Sequence, residues 1–143
     1  MTKKVWIGFI YVYLFIEIAD FLIHGVLLSS TYTALLSQVP GLYRPESDQK
    51  IWIYFVIGLF FAFFFVFIFS KGYQGKGIAE GLRYGLYISL MTALPAAYAE
   101  YAMHPIPYSM TLTWFCSDTI KLLIAGIIVA MVFGGKQKEA APA

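Results

Sequence analysis

The run IWIYFVIGLFFAFFFVFIFS, Ile51 to Ser70, contains no charged residue, and few structures can accommodate it. About 20 apolar residues rising 1.5 Å each cover a hydrocarbon layer of about 30 Å. In such a layer no water is present to satisfy main-chain N–H and C=O groups, so a lone apolar segment of this length must close its hydrogen bonds on itself, as a helix.

The rest of the chain agrees. Of its 143 residues, 60% are hydrophobic and 13% charged, whereas soluble domains are about half apolar and about a quarter charged. Four segments are long and apolar enough to span: about 5–29, 51–70, 78–103 and 108–133, followed by a short tail, 134–143. Pro40-Gly41 and Arg44-Pro45 mark turns in the first connection, KGYQGKG the second and HPIP the third. Short links predict that consecutive helices lie antiparallel side by side. The expected fold is all-α: one integral membrane domain, a four-helix up-down bundle.

Basic residues orient the spans. Lys3, Lys4, Lys71, Lys76, Lys136 and Lys138 fall on one side, and Arg44 and Lys50 on the other. The positive-inside rule places the first side, with both termini, in the cytoplasm. The first span follows Lys3-Lys4 like a signal peptide, but its apolar run is too long and is interrupted by Glu17 and Asp20, so it is expected to be retained. The net charge of +2 gives no reason to expect nucleic acid, and the single Cys116 excludes an internal disulfide.

Gly77, Gly81, Gly85, Ser89, Ala93 and Ala97 recur every fourth residue of the third span. Lipid offers helices no hydrophobic drive to associate, so small residues that permit close van der Waals approach mark a packing face. That face serves contacts within one molecule or a homodimer seam. Pro95 removes a hydrogen bond within the same span and predicts a kink that frees the carbonyl of about Met91. At the cytoplasmic edge, Glu80 is expected to pair with Arg83 and to meet the Tyr84 hydroxyl.

The first span also carries Glu17, Asp20 and His24, which fall within about 60° of one another on a helix. Asp118 and Lys121 sit three residues apart in the fourth span, with Thr111, Trp114 and Ser117 on the same polar side. A charge facing lipid at mid-membrane costs roughly 2.5–3.5 kcal/mol, so these five ionisable side chains are expected to turn inward and pair. Three carboxylates against one lysine leave a surplus, to be met by protonation or by something cationic. The readings are a structural polar knot, a proton or cation pathway, or a polar small-molecule pocket. A haem held by His24 and His104, or a metal held by histidine with acid, is disfavoured because HPIP puts His104 on a turn; no cofactor is expected. Phosphate loops, nucleophile elbows and paired-histidine zinc motifs do not occur in the sequence, so catalysis is not expected.

The segments DFLIHGVLL, LYRPESDQKIW, KGYQGKGIAEGLRYGL and HPIPYSMTLTWF resemble those of small four-helix bacterial inner-membrane proteins, an uncharacterised family. The resemblance runs from Asp20 to about Phe133. It implies a bacterial inner-membrane location and no particular activity. The expected role is a non-enzymatic structural, accessory or partner-binding unit, in the bilayer and within a homo-oligomer or larger complex. The alternative is a small oligomeric transporter or a proton- or cation-coupled carrier using the mid-membrane carboxylates.

Overall fold

A computed structural model of the protein describes residues 2–134. Lys136, Lys138 and most of the expected tail lie outside the described residues. The fold is all-helical. Helix α1 is Lys3–Asp20, and a π-helical stretch, Phe21–Leu27, continues it. A short helix α2, Ser29–Gln38, follows; then come α3, Ile51–Gly72, α4, Ile78–Met103, and α5, Tyr108–Gly134.

Three of these stretches, Lys3–Leu27, Ile51–Gly72 and Tyr108–Gly134, are long and apolar enough to cross a membrane. Their most apolar windows are only 17%, 22% and 28% buried within the molecule. Exposing that much apolar surface to water would be untenable, so hydrocarbon is the solvent these helices are built for. Helix α4 matches them in length but not in apolarity; Glu80, Arg83 and Glu100 lie within it. It runs unbroken through Pro95.

Packing departs from chain order. Helix α1 lies against α3 and α5, and α4 lies against α5, whereas α3 and α4 do not pack along their lengths although one short turn joins them. The expectation that all consecutive helices are neighbours is therefore corrected. The reason lies in side-chain size. Along α4, Gly81, Gly85, Ser89, Ala93 and Ala97 are buried, and a Cβ on Gly81 would run into the Gly126 carbonyl and Ala130 of α5. Two backbones that close leave α4 committed to α5. The phenylalanine-rich α3 has no matching strip of small residues towards α4. An apolar cleft of about 450 Å³ separates them, lined by Phe60, Phe64 and Ile68 on one wall and Ile88 and Met91 on the other. Ser89 and Thr119 hydroxyls add a hydrogen bond of 3.1 Å between α4 and α5. Gly77, at the head of the stripe, caps α4 with φ +69° and lies outside the packed face.

The main core fills the space between α1, α3 and α5 with Val5, Val12, Val66, Phe69, Val129 and Phe133. At its end Lys4 donates from Nζ to the last-turn carbonyl of Phe133, 2.6 Å away, which satisfies an orphan carbonyl at a helix C-terminus. The start of α1 and the end of α5 thus share one face. A smaller core at the opposite end joins Leu35 of α2 to Ile106 and Met110. The first connection, expected to be turns, is therefore partly a helix pinned over the start of α5.

Candidate functional site

The ionisable residues of α1 and α5 meet where α1 gives way to the π-helical stretch. A π turn closes i to i+5 bonds, seen here from the Leu28 N–H to the Ile23 carbonyl at 2.9 Å. Such turns recur at functional sites. Asp20 closes the α-helical part and His24 sits inside the wider turn.

Lys121 is the hub. Its ammonium donates to Asp20 Oδ1 across the α1–α5 interface. It also stands 2.7 Å from Asp118 Oδ1, one turn earlier on its own helix. The second contact is an ion pair without hydrogen-bond alignment, since Asp118 Oδ1 has no hydrogen-bond donor directed at it. Burial is graded across the cluster: the side chain of Lys121 is 12% exposed, Asp118 29% and Asp20 40%. Asp20 is the edge through which the cluster can be reached.

His24 lies beside the carboxylates, turned towards α2. Its Nδ1 is 2.7 Å from the Tyr32 hydroxyl, with the donor set by the imidazole tautomer. Trp114 of α5 donates from Nε1 to the same hydroxyl at 2.8 Å, and the rings of His24 and Trp114 lie alongside Tyr32 with centroids 6.1 and 6.3 Å away. Burial pushes the Tyr32 phenol up to about 12, so it stays protonated at neutral pH and can donate to His24 while accepting from Trp114. One aromatic latch thus ties α2, the π turn and α5 together. Nothing in the sequence singled out Tyr32, because it lies in a stretch read as connection; only its place in the apolar pattern SSTYTALLSQ hinted at a helix.

Glu17 is not joined to this hub. It forms no hydrogen bond or ion pair among the described residues; its carboxyl rests against α3 at Gly58, where a Cβ would collide with Oε1. Gly58 is a notch for that carboxyl. Thr111 is fully buried, and its hydroxyl has no hydrogen-bond partner among the described residues. Ser117 returns its hydroxyl to the α5 carbonyls of Thr113 and Trp114.

The Glu80, Arg83 and Tyr84 cluster at the start of α4 is built differently from the expectation. Glu80 is buried, but it accepts from the backbone N–H groups of Gln74 at 2.6 Å and Lys76 at 2.8 Å. Its acid group closes the glycine turn before α4, where Gly75 and Gly77 have φ of +76° and +69°. Arg83 is exposed and makes no ion pair among the described residues. Tyr84 reaches α3 instead, donating to the Phe65 carbonyl at 2.5 Å. The sequence pattern offered i, i+3 and i, i+4 pairs, but the unpaired N–H groups of a tight turn are the stronger claim on a buried carboxylate.

The two histidines are engaged separately, His24 by Tyr32 and His104 by Glu100, whose Oε2 lies 2.9 Å from the His104 Nδ1. Among the described residues, the combination of groups able to hold a cation is Asp20, His24 and Asp118, one atom from each lying within 4.8 Å of the others. Compared with protein-family models, curated proteins and solved structures, the chain matches none.

Proposed function

We propose that the chain is a four-span protein of the bacterial inner membrane, both termini cytoplasmic, serving as a non-enzymatic structural, accessory or partner-binding unit. One observation carries the choice against transport: the polar cluster leads nowhere on the cytoplasmic side. From Lys121 to the Lys4–Phe133 end, the interface of α1, α3 and α5 is filled by valine and phenylalanine. A carrier needs polar groups or water along its route to both faces. The Lys121–Asp20 ion pair instead clasps α1 to α5 at a depth where separation would leave charges in lipid.

The fourth span is α4. Its charged residues sit near its ends, leaving Tyr84 to Ala99 free of charge, and its 26 residues reach about 39 Å at 1.5 Å each. Both termini on one side follow from the lysine distribution and accord with the Lys4 bond to Phe133. The competing reading, a small oligomeric carrier of protons or cations, draws on Glu17, a carboxylate with no cation in contact.

A reporter fused after Ala143 is expected to be active in the cytoplasm; periplasmic activity refutes the orientation. Proteoliposomes of the purified protein are expected to pass neither protons nor monovalent cations, while Asp20→Asn lowers the unfolding midpoint in detergent. Flux in the wild type that vanishes in a folded Asp20→Asn variant overturns the accessory reading in favour of the carrier.

A further inference from the structure

We infer that Asp20, His24 and Asp118 form a binding site for a divalent transition-metal ion, with Lys121 acting as a tethered cation that holds the site closed until the metal displaces it. The inference goes beyond the accessory reading and does not depend on it, since it stands on the geometry of three side chains.

The donor set is the first argument. One imidazole nitrogen and two carboxylate oxygens suit zinc, iron, cobalt or manganese, whereas magnesium and calcium favour oxygen alone. Metal bonds of about 2.0–2.2 Å bring ligand atoms within about twice that length of one another. The observed spread, within 4.8 Å, closes by small side-chain rotations without moving a helix.

The charge count is the second. Asp20 and Asp118 bring two formal negative charges to the α1–α5 interface, and Lys121 balances only one of them. A divalent ion cancels both without protonating any carboxylate. Lys121 already occupies the point where a cation is best placed, touching Asp20 and Asp118 together. Its four-carbon stem lets the ammonium withdraw.

The third is the support behind the histidine. Metal-ligating imidazoles are held through their other ring nitrogen, which fixes tautomer and orientation. Tyr32 engages His24 Nδ1 and is itself held by Trp114, and the ring has no other hydrogen bond among the described residues. Coordination through Nε2 puts the imidazole proton on Nδ1, so His24 then donates to the Tyr32 oxygen, which accepts from Trp114 as well. The remaining coordination positions open through Asp20, the most exposed member of the site.

The test uses Co²⁺ on the full-length protein in detergent, read by its visible absorption and by calorimetry. The wild type is expected to bind one Co²⁺ per chain. His24→Gln and Asp118→Asn lose the absorption band, and Tyr32→Phe weakens binding about 10–100-fold, the usual effect of removing a supporting hydrogen bond. Lys121→Met, which removes the competing ammonium, binds more tightly by about tenfold or more, because a like charge no longer opposes the ion. Size-exclusion profiles confirm that each variant is folded. No Co²⁺ uptake by folded wild type or folded Lys121→Met overturns the inference. So does uptake that His24→Gln leaves unchanged.

Discussion

The close backbone approach of α4 to α5 lends itself to a quantitative test. Gly81 of α4 and Gly126 of α5 face each other so closely that a Cβ on either would collide with the other's carbonyl oxygen. The obstacle is backbone, so no rotamer change relieves it. At Gly81 a methyl would also stand 2.7 Å from the Ala130 Cβ, well inside the 3.4 Å at which ordinary contact begins. The helices must part, and overpacking of this kind costs about 1–3 kcal/mol. Gly81→Ala and Gly126→Ala should each fall in that range, measured by unfolding in mixed micelles with increasing SDS. The double variant discriminates further. Either methyl alone forces α4 off α5 at the same spot, so the second finds the gap already opened, and the pair should be less than additive by about 0.5–3 kcal/mol, as for residues in contact. Gly72→Ala is the control, since a Cβ there meets nothing within 4 Å; it should change stability by no more than about 0.5 kcal/mol. Full additivity, or a Gly81→Ala variant as harmless as Gly72→Ala, would refute the close approach of α4 to α5.

Glu80→Gln leaves one acceptor for two turn N–H groups and should cost about 1–3 kcal/mol; hydrogen exchange should speed at Gln74 and Lys76 and not elsewhere in α4. Tyr32→Phe strips Trp114 of its acceptor and His24 of its partner, with a loss of about 1–3 kcal/mol for the buried donor left unpaired. Its marker is a red shift of Trp114 emission, read in a background where Trp6 and Trp52 are replaced by phenylalanine. Tyr84→Phe removes the hydrogen bond from α4 to the Phe65 carbonyl, which helical hydrogen bonding still serves, so the loss should be only about 0.5–1.5 kcal/mol. An unchanged unfolding midpoint would show that this bond is not formed in detergent.

Helix existence was readable from the sequence because it is a local matter. Twenty residues without a charge, bounded by Lys50 and Lys71, have no state in lipid other than a helix. Accordingly α3, α4 and α5 start at Ile51, Ile78 and Tyr108, where the apolar runs begin. Residues 5–29 read as one helix because hydropathy carries no information on hydrogen-bond register, and a π turn from Phe21 to Leu27 looks the same as an α turn by composition. Helix α2 escaped for a related reason: its serines and threonines favour turns in isolation, and it holds only because Leu35 is buried against Ile106 and Met110.

The candidate site divides in the same way. Helical periodicity put Asp118 and Lys121 on one face and Asp20 with His24 on another, from residue spacing alone. That the faces meet, with Lys121 between two carboxylates from different helices, depends on α1 packing against α5, an interaction spanning a hundred residues of chain. Partner choice among buried polar groups is likewise tertiary, because a group in low dielectric takes the nearest unsatisfied partner, whatever lies three or four residues away. So Glu80 went to a turn, Glu17 to a glycine notch on α3, and His24 to a tyrosine in what had looked like a loop. By itself the sequence determined the solvent, the number of long helices and which residues could not face lipid. The tertiary structure decided which helices touch, because close approach depends on small residues meeting small residues across a gap that only the folded chain creates.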